Sequence, residues 1–143
     1  MLQVNPTSVF AARAAPSRAQ AKPTILVAED SADGREMLQV LLRLKGYEVF
    51  SAENGVRAME EALAHCPDLI LLDLELPRLD GLTLTKTLRS RREFRTTPII
   101  MVSGHDPLKL RQPALEAGCT DYLLKPIDFE QLDSILKAKV PLP

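Results

Sequence analysis

From Thr24 onward, short apolar runs alternate five times with amphipathic segments, and that alternation restricts the chain to a parallel sheet covered by helices on both faces. The first run is Ile25-Leu26-Val27-Ala28. A helix near Arg35 to Lys45 follows, with Met37, Leu38, Leu41 and Leu42 at helical spacing and Gly46 as the stop. A second strand over Tyr47 to Ser51 precedes a helix near Gly55 to Ala64, whose expected buried stripe is Val56, Met59 and Leu63; Pro67 bars its continuation. The run Leu69-Ile70-Leu71-Leu72 is apolar at every position, as a strand buried on both faces requires, so it belongs mid-sheet. A helix from about Gly81 to Arg91 comes next, and Pro98 then opens a fourth strand over Ile99 to Val102. A helix near Leu108 to Ala117 ends at Gly118, and a fifth strand over Tyr122 to Leu124 leads to a last helix near Phe129 to Lys139 with Asp128 as its N-cap.

A chain of 143 residues makes one domain and buries roughly 65–70% of its unfolded surface without a staple or structural metal. Hydrophobic content is 45% and charged content 26%, and no apolar run approaches the ~18 residues of a spanning helix, so a soluble chain is expected. A net charge of −1 does not require a polyanionic partner. Residues 1–22 are rich in Ala, Pro, Ser and Gln and carry Arg13, Arg18 and Lys22 with no acid. They read as a flexible tail, with a transit peptide as the lesser reading. The expected organisation is a tail over 1–22, a folded unit over 23–140 and a short end over 141–143. Cys66, Cys119 and the neighbouring His65 share no metal-ligand spacing, so packing or surface roles are expected for them. Two cysteines without a signal peptide point to a reducing cytoplasm.

The polar residues fall at strand ends. Glu29 and Asp30 follow the first strand, Asp73 the third, Ser103 the fourth and Lys125 the fifth. In an open α/β sheet, sites form beyond the carboxyl ends of the strands at the topological switch point. For the strand order 2-1-3-4-5 that point lies between strands one and three, which brings Glu29, Asp30 and Asp73 together. Carboxylates about 4 Å apart repel by roughly 4 kcal/mol per pair at an effective dielectric of about 20, so the cluster needs a cation. An all-oxygen donor set suits Mg²⁺. With metal and ammonium neutralising an incoming phosphoryl group, Asp73 can act as a nucleophile toward phosphorus, and Ser103 adds a hydroxyl donor. Acids at strand ends often merely cap helices, but five positions at four strand ends converge here.

Glu29-Asp30, Asp73-Leu-Glu-Leu-Pro77 with Asp80-Gly81, Ser103-Gly104, and Asp121-Tyr122-Leu-Leu-Lys125-Pro126 occur in order on alternating strands and helices. Over Thr24 to Lys139 the chain resembles the receiver domain of two-component response regulators. The resemblance implies a flavodoxin-like (βα)5 fold and a phosphorelay function rather than a true enzyme. Asp73 would accept a phosphoryl group from a sensor histidine kinase or histidine phosphotransfer protein. Asp30, Asp73 and the backbone carbonyl of Glu75 would bind Mg²⁺ directly, with Glu29 acting through a water. Lys125 would pair with phosphoryl oxygens, and the Lys125-Pro126 bond would be cis. Ser103 and Tyr122 would form a conformational switch, while Glu75 and His105, two residues beyond the acceptor and the hydroxyl residue, would tune autodephosphorylation. Glu29 departs from the commoner aspartate, and Ser103 replaces a frequent threonine.

The basic run Arg89, Arg91, Arg92 and Arg95 sits at a helix C-terminus, where cations favour the dipole, and reads as a solvated face rather than a nucleic-acid site. Output through a downstream protein target is expected, with no direct nucleic-acid or membrane binding, from a monomer or a weak phosphorylation-dependent dimer. The alternatives are a phosphorylation-independent receiver-like adaptor, or a receiver fragment of a larger regulator or hybrid kinase. An aspartate-nucleophile phosphatase would place its nucleophile on the first strand. A flavin carrier would need a phosphate loop where Glu29-Asp30-Ser31-Ala32-Asp33 would repel phosphate.

Overall fold

The computed structural model describes residues 21–143. Their strands are β1 (Thr24–Ala28), β2 (Glu48–Ala52), β3 (Leu69–Asp73), β4 (Ile99–Ser103) and β5 (Asp121–Leu124), all parallel and ordered β2-β1-β3-β4-β5. The helices are α1 (Ala32–Lys45), α2 (Gly55–His65), α3 (Gly81–Arg89), α4 (Pro107–Ala117) and α5 (Phe129–Lys139). This is the flavodoxin-like doubly wound architecture expected from the alternation. The tail expected over 1–22 lies almost wholly outside the described residues.

The period of two along each strand divides the core into two layers. Leu26, Ile70, Leu72 and Met101 face a layer with Ala58, Ala62, Leu84 and Leu88 from α2 and α3. Ile25, Leu69, Leu71 and Ile100 face the opposite layer, with Leu38 and Leu42 of α1 and Leu132 and Leu136 of α5. β3 supplies both layers, and every one of its residues is buried, Asp73 included. Among the described residues, no helix is long and apolar enough to cross a membrane.

Each helix begins at the carboxyl edge of the sheet with a side-chain cap: Ser31, Asn54, Asp80, Asp106 and Asp128 each accept from a backbone N–H of the turn they open. The positive ends of the helix dipoles therefore gather where the acids stand. Gly46 ends α1 at φ 114, and Cys66 ends α2 at φ 44 just before Pro67.

Several local expectations are corrected. α1 starts at Ala32 rather than Arg35, because the Ser31 cap recruits Ala32, Asp33 and Gly34 into the first turn. β2 is shifted one residue, to Glu48–Ala52. The buried residues of α2 are Gly55, Ala58 and Ala62. Val56 and Met59 are only half-buried and Leu63 is exposed, since small residues let the helix lie close on the sheet and leave the larger ones at its margins. Met37, expected in the α1 stripe, is 48% exposed. α3 ends at Arg89, and a 3₁₀ turn over Arg92–Phe94 follows, with Phe94 fully buried. Arg89 is not part of a solvated face. It is half-buried and donates to the carbonyls of Gly118 and Phe94 and to Thr120 Oγ1.

Candidate functional site

The register Ala28↔Leu72 between β1 and β3 places Glu29, one step further, abreast of Asp73. The Glu29 N–H bonds to the Ala52 carbonyl at 3.0 Å, so the β1 end is tied to β2 as well. Glu29 and Asp73 are both buried, 6% and 5% exposed, whereas Asp30 faces solvent. The three offer carboxylate oxygens within 4.8 Å of one another.

Lys125 reaches this cluster from the end of β5. Its Nζ donates to Glu29 Oε1 at 2.8 Å and to Asp73 Oδ2 at 2.9 Å. Burial opposes the ammonium, but hydrogen bonds to Glu29 and Asp73, together with their charges, outweigh it and hold the Lys125 pKa above the ordinary lysine value. The second oxygen of each buried acid has its own donor: Ser31 N–H to Glu29 Oε2 at 3.0 Å and Glu75 N–H to Asp73 Oδ1 at 2.9 Å. A buried carboxylate stripped of such partners would be strongly destabilising. Here both buried acids are matched.

The β3–α3 loop that carries Glu75 is fixed by two close approaches. A Cβ on Gly55 would lie 1.8 Å from the Leu79 carbonyl oxygen, and one on Gly81 would lie 2.6 Å from the Asp73 carbonyl oxygen. Only glycine lets these segments meet without displacing backbone. The Gly55 N–H also bonds to the Pro77 carbonyl, and the Gly81 N–H to that of Leu74.

Ser103, the last residue of β4, is buried and its Oγ accepts from the His105 N–H at 3.0 Å. The Lys125 N–H bonds to the Ser103 carbonyl at 2.7 Å, which sets the start of the Lys125-Pro126 turn against β4. That peptide bond is cis, as expected. Tyr122 is buried, and its hydroxyl donates to the His105 carbonyl at 3.1 Å. His105 Nε2 in turn pairs with Glu75 Oε1, both side chains being exposed. The structure thus joins Glu29, Asp30, Asp73 and Lys125 in one cluster and links Glu75, Ser103, His105 and Tyr122 around it. The sequence reading missed Arg35, whose Nη1 donates to the Glu29 carbonyl at 2.9 Å and the Asp30 carbonyl at 3.4 Å.

A metal would meet hard carboxylate oxygens, with no thiolate or imidazole in the cluster, and one of its acids faces solvent. That donor set fits a small, hard divalent ion that keeps some of its waters. The chemistry open to the arrangement is charge neutralisation beside a buried carboxylate, with a hydroxyl and an ammonium at hand.

Known proteins share this sequence pattern and this fold. The response regulator MprA of Mycobacterium ulcerans (strain Agy99) is 39% identical over 114 residues, 80% of this chain and 48% of that protein. The chain thus spans about half the length of the curated relatives it matches. The chemotaxis protein CheY4 of Vibrio cholerae superposes with a TM-score of 0.79 at 29% identity, covering 84% of this chain and 100% of that one. The receiver domain of the sensor histidine kinase PA1611 from Pseudomonas aeruginosa, whose structure is described with a magnesium ion coordinated in its active site cleft, gives 0.76 at 34% identity, covering 83% and 98%. The family model of the response regulator receiver domain matches residues 25–137, and the chain belongs to that family of regulatory domains in two-component signalling.

Proposed function

We propose that Asp73 is the phosphoacceptor of this receiver, taking a phosphoryl group from the phosphohistidine of a sensor histidine kinase or histidine phosphotransfer protein. The observation that carries this reading is the double hold of Lys125 on Glu29 and Asp73, which keeps a buried carboxylate beside a positive charge. In transfer, a carboxylate oxygen of Asp73 attacks phosphorus, the P–N bond to the donor imidazole breaks, and that nitrogen keeps the electron pair. No general base is needed, because the nucleophile carries no proton to remove. Lys125 follows the negative charge onto the phosphoryl oxygens, and the Ser103 hydroxyl, which accepts from His105, retains its own hydrogen to donate. Asp30, Asp73 and the Glu75 carbonyl would hold Mg²⁺, with Glu29 through a water; when bound, the ion supplies neutralisation of the phosphoryl charge. The receiver unit is read as residues 23–140.

Output is carried by a change in protein binding. Tyr122 reports on Ser103 through His105, whose N–H and carbonyl bond to the two side chains. A phosphoryl group that draws Ser103 would tension that link and reshape the surface of α4, β5 and α5. NMR signals of Tyr122 that do not change on adding a phosphoryl mimic with Mg²⁺ would exclude this switch. The Glu75–His105 pair is exposed, two residues beyond Asp73 and Ser103 respectively, and is proposed to slow attack by water on the acyl phosphate. Replacing both side chains by alanine should shorten the phosphorylated lifetime, and an unchanged decay rate would remove them from that role.

The donor has a surface to rest on. The groove beside Lys125 is lined by Met37 and Leu38 of α1 and by Pro126, Ile127 and Phe129, and it is continuous with Glu29. Met37 and Phe129 are 48% and 45% exposed. A donor helix presenting phosphohistidine to Asp73 must cover this apolar ground.

Intact mass after incubation with acetyl phosphate and Mg²⁺ tests the proposal. One phosphoryl adduct is expected, lost with EDTA and in Asp73→Asn; a folded protein that gains no adduct from acetyl phosphate or from a phosphorylated histidine phosphotransfer protein would refute it.

A further inference from the structure

We infer that Arg35 is a positioning residue for the metal site, fixing the backbone of Asp30 so that its solvent-facing carboxylate points into the acidic cluster. The inference rests on the reading of Asp30 as a Mg²⁺ ligand. Arg35 is the fourth residue of α1, in the part of a helix where the dipole disfavours a cation. Helix electrostatics therefore do not account for it, and a residue that breaks a local rule calls for another reason.

Its contacts supply one. The guanidinium donates to the carbonyls of Glu29 and Asp30, the two peptide oxygens that flank the Asp30 Cα. The following peptide is held at its other end too, by the Ser31 N–H on Glu29 Oε2. Both peptide planes around Asp30 are thus set by side chains, although Asp30 itself is exposed. One nitrogen, Nη1, reaches both carbonyls, and the planar guanidinium that carries it is better pre-organised to hold them than a lysine ammonium on a flexible stem. Glu29 needs no such help, being buried and held by Lys125 and Ser31.

The two ways Arg35 can act on a metal differ in sign. As a bare positive charge beside three carboxylates, it would repel a divalent ion, and its removal would tighten binding. As a positioning residue, its removal loosens Asp30 and weakens binding. Mg²⁺ affinity, measured by calorimetric titration of the whole protein, is expected to fall roughly ten-fold in Arg35→Ala, with Arg35→Lys in between. In an Asp30→Asn background the same Arg35→Ala change should have no further effect, which a general loss of stability would not reproduce. Amide hydrogen exchange at Ser31 should accelerate in Arg35→Ala without metal present. Tighter or unchanged Mg²⁺ binding, or equal losses in both backgrounds, would overturn the inference while leaving the wild-type reading intact. A wild-type protein that binds no Mg²⁺ would overturn both.

Discussion

The two edges of one sheet both hold backbone with polar side chains, but they differ in how they place their charges. At the amino edge, side chains close the backbone: Asp68 accepts from the Thr24 N–H, the Thr120 hydroxyl accepts from the Ile99 N–H, and Arg89 binds the carbonyls of Gly118 and Phe94. At the carboxyl edge, charged side chains bind one another, with Lys125 between Glu29 and Asp73 and Asp30 beside them. The first arrangement satisfies groups that folding would otherwise leave bare. The second concentrates like charges that folding alone would keep apart, and such concentrations mark sites of chemistry.

If that contrast is sound, substitutions at the two edges should separate phosphorylation from stability. Asp73→Asn should abolish the phosphoryl adduct while the protein still unfolds cooperatively within a few degrees of wild type, as thermal denaturation would show. Arg89→Ala should do the reverse. It strands carbonyls of the amino edge and should cost about 2 kcal/mol in urea unfolding, with phosphorylation by acetyl phosphate unaltered. A loss of phosphorylation in the Arg89 variant at temperatures where it is folded would break the comparison.

The contrast can be sharpened along one helix. Met37 lies on the part of α1 that borders Lys125, whereas Leu44, 82% exposed, lies in its last turn near the amino edge. Met37→Asp should reduce transfer from a phosphorylated donor protein roughly ten-fold and leave acetyl phosphate labelling unchanged. Leu44→Asp should change neither rate.

A smaller effect concerns pH. Burial pushes the Cys119 thiol at the amino edge up to about 11, Asp121 adding to the shift and Arg89 and Arg111 opposing it. The folded thiol therefore keeps its proton where the unfolded one, near the ordinary value of 9.0, loses it. Its contribution to stability is complete below pH 9 and disappears as pH rises through about 11. Unfolding titrations of Cys119→Ala should show a shallower fall of stability across that window. An unchanged slope would assign the fall to other groups, such as Lys125, whose raised pKa acts with the same sign only above the ordinary lysine value of 10.5.

The sequence made the carboxyl edge legible because its residues end apolar runs: Asp73 after four core residues and Lys125 after Leu123 and Leu124 could hardly lie elsewhere. The fully apolar β3 likewise marked the centre of the sheet. Less was readable where packing depends on small residues. The expected α2 stripe of Val56, Met59 and Leu63 ranked side chains by hydrophobicity, but the helix seats itself through Ala58 and Ala62. Arg35 and Arg89 escaped for a different reason. Their shorter contacts are to backbone carbonyls, which leave no signature in residue type, so only the folded chain reveals what they hold.

The central claim is that the phosphoryl group goes to Asp73 and nowhere else. Borohydride reduction of the phosphorylated protein, followed by peptide mass mapping, tests it at the level of one atom, because an acyl phosphate is reduced to an alcohol. The account predicts homoserine at position 73 alone, dependent on Mg²⁺. Homoserine at position 30, phosphate on Ser103, or full labelling of Asp73→Asn would contradict it.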